Sequence, residues 1–447
     1  MALFFIMKYI ARVLLLIITV LLFYVVFSYP KLNILAGYSA KSMASSVFVA
    51  NRSAEFTDAN DNNFDLVAYG NDRVDLEAKV AYADAFKLLT RKGFYREGLG
   101  TVLALKDEDI SKEYASPKRN KKLIEKPYPF GHQTPVDTIF ENVDYDKLNA
   151  ALDGLFDPKN KTRGAVVIYK DHLLTERYAD GYDKNSKMLG WSMTKSITST
   201  VFGILQYQGK LNVFEKAPVS AWQNDERREI TIHNLLQMNS GLEWDEDYNN
   251  ISDVTKMLFL ERDMTQLQVK KPFVGKPNET WYYSSGTTNL LSGIFRKQFD
   301  THQAYLNYWY AELIDKIGMH SMVLEADLAG NYVGSSYSWA TPRDWAKFGL
   351  LYLHNGQWNG EVLFDEKWVD YATMPTPSSN GRYGAQIWLN KGGFHKGVPT
   401  SMYSFNGYQG QNVFIFPDQD LVIVRMSLTE NADVDGFLKG VLSSIKQ

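Results

Sequence analysis

Two apolar hairpins near opposite ends of the chain predict an α+β domain whose antiparallel sheet is completed by both halves of the sequence. The material between them reads as helix and loop, which predicts flanking helices and a helical subdomain. A run of apolar residues near the N-terminus adds a transmembrane helix. The first hairpin is GAVVIY at 164–169, a turn at Lys170, Asp171 and His172, and a return strand over 173–178. The second is NVFIF at 412–416, a turn at 417–420, and LVIVRM at 421–426. A helix is expected over 432–446.

The N-terminal run spans 13–27, VLLLIITVLLFYVVF, behind Lys8 and Arg12. Fifteen residues is short for a span, but residues 2–7 are also apolar and the two cations can snorkel. Residues 1–30 are therefore assigned as an uncleaved anchor, with Lys8 and Arg12 in the cytoplasm and the remainder in the periplasm or outside. The alternative is a cleaved signal, for which the nearest small-x-small site is Ser42-Met43-Ala44. No cysteine is present, so no lipid can be attached through one. Residues 31–140 form an extension expected to pack on the catalytic domain, which occupies 141–447. Within the extension, 56–65 is turn-rich. The spacing of Val80, Ala83, Phe86 and Leu89 predicts a helix over 74–91. The basic stretch 116–126 reads as a solvated loop.

Composition narrows the chemistry. The chain has 447 residues and no cysteine, which excludes a disulfide scaffold, thiol catalysis and cysteine-ligated metal. Hydrophobic residues at 45% and charged residues at 22% describe a globular chain. A net charge of -3 gives no electrostatic reason to expect nucleic acid. The seven histidines form no H-E-x-x-H pair, so no metal is expected, and no cofactor either. His233 is expected to cap or pack a helix over 234–238. The pattern G-x-S-x-G is also absent.

One constellation carries chemistry. Trp191-Ser192-Met193-Thr194-Lys195-Ser196 opens a helix running to Tyr207, with Ile197, Val201 and Leu205 on its apolar face and Gly209 as its stop. Ser192 then lies near the helix N-terminus, where backbone N–H groups favour developing negative charge. Lys195, three residues on, shares its face, so an amine stands beside a hydroxyl. S-x-x-K recurs at Ser28–Lys31 and Ser443–Lys446, but the first adjoins the membrane and the second ends at the terminus. Tyr283 precedes a second helix over 288–295. A tyrosine beside a lysine is expected to ionise more readily and to shuttle a proton. Residues 405–411, FNGYQGQ, bring glycines to the start of a strand, where a backbone N–H could join that of Ser192 around an oxyanion.

Taken in order, these residues resemble the β-lactamase-related serine hydrolases. That group includes class C β-lactamases, D-alanyl-D-alanine carboxypeptidases, family VIII esterases and 6-aminohexanoate-dimer hydrolases, the last being the nearest in pattern. The matching stretches are WSMTKS at 191–196, HNLLQMNSGL at 233–242, WDEDY at 244–248, YYSSG at 282–286 and GYQGQN at 407–412. Residues 341–353 and 383–389 also look like this group, and 40–52 resembles a segment ahead of the domain in membrane-anchored relatives. The resemblance implies a β-lactamase/transpeptidase-like fold and a small-molecule amide or ester substrate. It implies Ser192 as the acylated nucleophile, Lys195 as its partner and Tyr283 as general acid/base. The N–H groups of Ser192 and Tyr408 would form the oxyanion hole. Tyr248, Ser285, Gly407 and Gln409 would contact substrate.

The chain departs from the pattern at two places. Ser285 stands where the lactamases carry asparagine. Phe405-Asn406-Gly407 stands where they carry Lys-Thr-Gly or His-Thr-Gly, which removes a charge-assisted contact to a substrate carboxylate of about 1.5–3 kcal/mol. This disfavours penicillins and D-Ala-D-Ala peptides. A β-lactamase or carboxypeptidase, or a tethered penicillin-binding sensor acylated without turnover, remain the alternatives.

Overall fold

A computed structural model of the chain describes residues 2–446, without the side chains of residues 2–4, 27 and 28. The Ser28 hydroxyl of the first S-x-x-K match lies outside the described residues. Helix α1 (Ala2–Phe48) is 47 residues long. Its stretch Phe5–Val26 has mean hydropathy 2.6 and none of it is buried against the rest of the chain. By length and composition it can cross a membrane, since 22 residues rise about 33 Å. The fifteen-residue run understates this helix because the apolar residues ahead of Lys8 extend it. Farther on, α1 enters the protein body, where Ala36, Ala40, Met43 and Ala44 are fully buried. The small-x-small site at Ser42–Ala44 thus lies inside a packed helix.

The extension differs from the sequence reading at two points. Residues 56–65 begin inside helix α2 (Ala54–Asn60), because Ser53 Oγ accepts the Phe56 N–H at 3.0 Å and caps it. The helix expected over 74–91 is instead part of a four-stranded antiparallel sheet: β1 (Gly70–Asp75), β2 (Val80–Ala85), β3 (Leu89–Arg96) and β4 (Gly100–Leu103). The three-residue spacing was coincidental. Ala81, Ala83 and Ala85 alternate along β2 and are buried, while Phe86 sits exposed in the following turn with φ 51°. This sheet lies directly on α1: a Cβ at Gly93 would stand 2.6 Å from the Ala40 carbonyl oxygen. The stretch 116–126 is a loop, but a pinned one. Arg119 donates to Asp315 from Nε at 3.0 Å and its main chain continues the contact through Asn120 N at 2.8 Å.

The catalytic body carries α3 (Tyr145–Leu155), β5 (Thr162–Tyr169), β6 (His172–Tyr178), α4 (Thr194–Tyr207), α5 (Ser285–Arg296) and α6 (Pro342–Leu353). It ends with β7 (Trp388–Leu389), β8 (Tyr403–Gly407), β9 (Gln411–Phe416), β10 (Leu421–Ser427) and α7 (Val434–Ser444). The main sheet has the order β7-β8-β9-β10-β5-β6 and every pairing is antiparallel. Both predicted hairpins form, and β10 pairs with β5 to join the two ends of the chain. Strand β5 is buried on both faces, so its alternation serves two cores. Ala165, Val167 and Tyr169 pack with residues of α3 and α7, and Val166 and Ile168 pack with residues of α4 and α6. Ser443, in the third S-x-x-K match, donates to Gly440 O on the exposed side of α7.

Candidate active site

Ser192 sits in a 3-10 turn, Trp191–Met193, that runs straight into α4. Trp191 has φ 47°, a left-handed conformation costing a non-glycine residue about 1–3 kcal/mol. Packing enforces it. The indole lies 6.2 Å from the Tyr38 ring, 6.1 Å from Tyr337 and 5.7 Å from Tyr408. The backbone kink presents the next residue, Ser192, at the mouth of the helix.

Lys195 is buried and its ammonium position is defined by three partners. Nζ donates to Ser192 Oγ at 2.9 Å, Ser285 Oγ at 3.0 Å and the Ser335 carbonyl at 2.9 Å. Burial lowers its pKa to about 8, with Glu246 pulling the other way. Ser285 follows the Ser284 N-cap of α5, and it couples the lysine to that carboxylate. Its Oγ donates to Glu246 Oε1 at 2.5 Å and its N–H to Oε2 at 2.9 Å. Trp244 Nε1 and the Tyr248 hydroxyl also donate to Glu246, the latter at 3.2 Å. Ser192, Lys195, Ser285 and Glu246 thus form one connected hydrogen-bonded row.

Tyr283 stands beside the row, close enough to Ser192 for the serine to lower its pKa. Its ring packs on Trp388 at 5.3 Å and Tyr383 at 5.8 Å, and Lys195 Nζ lies 4.8 Å from its centroid. The expectation of an easily ionised phenol is overturned. Burial, reinforced by Glu246, pushes Tyr283 well above its ordinary value, and the Ser192 contact opposes this only in part. The resting phenol is neutral.

The glycine-rich segment reaches the same place from the other side. A Cβ at Gly407 would stand 2.2 Å from the Gly190 carbonyl oxygen, so only glycine lets β8 run against the strand leading to Ser192. That contact brings the Tyr408 backbone to the segment bearing Ser192. The turn beyond it is held from below. Gln411 Nε2 donates to the Tyr408 and Gln409 carbonyls at 3.1 and 3.3 Å, and Arg425 Nη1 donates to Gly410 O at 3.3 Å. Tyr248 stacks on Tyr408 with centroids 5.4 Å apart and planes within 10°.

Gln409 behaves differently from its neighbours. It has φ 62°, its N–H donates to Glu430 Oε1 at 3.2 Å, and it lines an enclosed cavity with Tyr38, Lys41, Asp61 and Arg163. Phe405 is fully buried in the core, 4.7 Å from the Phe348 ring. His233 does not cap a helix over 234–238. The helix is Ile232–Leu236, capped by Thr231, and His233 meets the Tyr371 hydroxyl at 3.1 Å. Among the described residues no group of three or more His, Asp or Glu is placed to hold a metal.

Sequence reasoning missed Glu246 and the two residues under the oxyanion turn. Glu246 carried a signal: it is the middle acid of Trp244-Asp245-Glu246-Asp247-Tyr248, two positions from each aromatic. Gln411 stands inside the GYQGQN stretch, three residues past Tyr408, whereas Arg425 carried no signal, because only the fold brings β10 beneath that turn.

Comparison with known proteins gives the same picture. A family model described as Beta-lactamase matches residues 152–440. The 6-aminohexanoate-dimer hydrolase of Paenarthrobacter ureafaciens is 21% identical over 323 residues, 64% of this chain and 78% of that one. A penicillin-binding protein homologue from Caulobacter crescentus superposes with TM-score 0.54 at 14% identity, covering 70% of this chain and all 100% of its own. A family VIII carboxylesterase superposes with TM-score 0.53 at 13% identity, covering 67% and 97%. The two solved structures share the β-lactamase/transpeptidase-like fold described above, and on the strength of the family match over most of its catalytic body this chain belongs to the beta-lactamase family of serine hydrolases.

Proposed function

We propose that this serine hydrolase cleaves an amide or ester bond through an acyl-enzyme on Ser192, with its catalytic domain held at a membrane by Phe5–Val26. The observation that carries the reading is the Lys195–Ser192 hydrogen bond at 2.9 Å, made by a lysine whose pKa has fallen to about 8. A substantial fraction of such a lysine is a free amine near neutral pH and can accept a proton.

In acylation, Ser192 Oγ attacks the carbonyl and its proton passes to the free amine of Lys195. The backbone N–H groups of Ser192 and Tyr408 receive the oxyanion. Tyr283 gives its proton to the leaving amine or alcohol. The phenolate left behind lies beside the new Lys195 ammonium, which compensates it. In deacylation, water gives a proton to the Tyr283 phenolate and its oxygen attacks the acyl carbon. Ser192 leaves and recovers its proton from Lys195, which restores all three groups. Tyr248, Ser285 and Gly407 shape the space around the scissile bond, and Glu246 fixes Ser285 and the lysine. Gln409 supports the oxyanion turn from within the fold.

Similarity to a 6-aminohexanoate-dimer hydrolase favours linear amides among the substrates to try first. The missing cation at Phe405 argues against penicillins. Lys8 and Arg12, near the start of Phe5–Val26 and ahead of its uninterrupted apolar run from Val13, favour a catalytic domain in the periplasm or outside.

The test is a panel of p-nitrophenyl esters, 6-aminohexanoate dimer and nitrocefin on wild type and Ser192→Ala. Ser192→Ala is expected to lose about 10⁴-fold or more in turnover and all labelling by a fluorophosphonate. Ester turnover that survives the substitution removes Ser192 as nucleophile. A stoichiometric burst with no steady state points to a sensor acylated without release.

A further inference from the structure

A cleft of about 930 Å³, counting its open mouth, lies next to the reaction centre. One side of it is made by Trp191, Tyr248 and Tyr408, the residues that flank the serine and the oxyanion turn. Helix α1 itself contributes Ile34, Leu35 and Tyr38 to the lining, with the Tyr38 ring stacked on Trp191. Leu66, Val67, Ile251 and Phe259 complete a lining that is mostly apolar. The helix supplying this wall is the one whose earlier stretch, Phe5–Val26, can cross a membrane. From Val26 to Ile34 is eight helical residues, about 12 Å of rise. Leu66 and Tyr69 beside the cleft are 61% and 69% exposed.

Two further facts fix this geometry. The part of α1 that lines the cleft is bolted to the catalytic body: Lys41 pairs with Glu325, and Arg91 on the sheet against α1 donates to the Phe259 carbonyl at 2.8 Å. The cleft wall is therefore fixed to the catalytic body, and the apolar stretch of α1 leads into it through Pro30. In addition, Tyr283, which delivers the leaving group's proton, packs on Tyr383 and Trp388, and none of these three lines the cleft. Trp191 and Tyr408 do line it, so the cleft meets the reaction centre beside the serine and the proposed oxyanion donor, the end at which an acyl chain would enter.

We propose that this cleft receives the long apolar acyl chain of an amphiphilic ester or amide presented at the membrane surface, so that the enzyme is a long-chain acyl hydrolase. The inference rests on the hydrolase reading above and adds its substrate class. The acyl chain lies between α1 and the Tyr248–Tyr408 pair, and the carbonyl reaches Ser192. Attack by Ser192 forms the acyl ester and releases the alcohol or amine with one proton. Water then releases the fatty acid.

The test uses the full chain reconstituted in phosphatidylcholine vesicles and p-nitrophenyl esters from acetate to dodecanoate. Wild type is expected to favour dodecanoate over acetate by about tenfold or more in kcat/KM, since each buried methylene adds to transition-state binding. Leu35→Trp, on α1, and Ile251→Trp, on the catalytic body, each fill part of the cleft. Each should lower the dodecanoate-to-acetate ratio by about tenfold, cancelling the wild-type preference. Brisk acetate turnover with a flat chain-length profile overturns the proposal alone, as does a ratio that neither variant moves. No turnover at any chain length, with Ser192 unlabelled by fluorophosphonate, overturns the hydrolase reading and the acyl cleft together.

Discussion

Two places in this molecule bury a lysine, a glutamate and a serine among the same kinds of partners. At the seam between α1 and the catalytic body, Lys41 Nζ donates directly to Glu325 at 2.5 Å and to Ser45 Oγ at 2.9 Å. Glu325 also accepts from Ser45 Oγ, the Thr101 N–H and the Trp339 indole. In the reaction centre, Glu246 likewise accepts from a serine hydroxyl, a backbone N–H and an indole. The difference is the position of the lysine. Lys195 reaches Ser285, and Ser285 reaches Glu246, so a hydroxyl stands between the charges. Direct contact makes Lys41 and Glu325 a fastener, because each charge is compensated at its own surface. Burial lowers the pKa of both lysines, against Glu325 at Lys41 and Glu246 at Lys195, where it brings the value to about 8; what sets Lys195 apart is that one of its donors goes to Ser192 Oγ.

The comparison breaks first on Lys195. Lys195→Met should reduce p-nitrophenyl ester turnover by about 10²–10⁴-fold, the range for loss of a general base. Its melting temperature should fall less than that of the seam variant, because Lys195 makes no direct ion pair with Glu246, whereas Lys41 pairs directly with Glu325. Steady-state rates and a thermal melt on the same preparation check both halves. Near-wild-type turnover would leave Lys195 as a purely structural residue.

The seam variant is the mirror image. Lys41→Met strands the Glu325 carboxylate in the core and should cost about 3–5 kcal/mol of stability. Below its lowered unfolding midpoint, Ser192 should still label with a fluorophosphonate. A denaturation midpoint equal to wild type would show that the pair does not fasten α1.

The contrast between the two regions also explains what could be read in advance. Ser192, Lys195 and Tyr283 were legible because helix-start signals and three-residue spacing are local, and β5 and β10 because their apolar runs are short and bounded by turns. The seam was not. Lys41 lies within an otherwise small-residue helix, and Glu325 is 284 positions away, so nothing local links them. The sheet β1–β4 was misread because β2 is rich in alanine, which carries little strand signal, and Val80, Ala83 and Phe86 fell on a helical period by accident. The direction of the Tyr283 shift was also illegible. It depends on how deeply the phenol is buried and on Glu246, both of which only the fold sets.

A smaller effect should follow from the backbone that serves the reaction centre. Gly407→Ala places a methyl 2.2 Å from the Gly190 carbonyl oxygen, and backbone cannot yield as a side chain would. The Tyr408 N–H must then move away from the oxyanion. Turnover should drop about 10²-fold, as for loss of one oxyanion donor, with KM for a short ester nearly constant. A large KM effect with kcat intact would instead place Gly407 in ground-state binding.

The subtlest variant tests the comparison most directly. Glu246 raises the Lys195 pKa while burial lowers it to about 8. If the free amine is the base, the acylation rate rises with pH through about 8 and then levels, since protonated lysine cannot accept the Ser192 proton. Glu246→Gln keeps the shape and removes the charge. Burial then acts on Lys195 without its main opponent, so the rising limb should move to lower pH. The same change removes one of the causes holding Tyr283 high, so the phenol should also titrate at lower pH. Glu325→Gln is the matched control: it should lower the melting point through the seam and leave the limb near 8. A limb that moves upward in Glu246→Gln, or that follows Glu325 instead, would mean that the lysine poised as a base has been assigned to the wrong cluster.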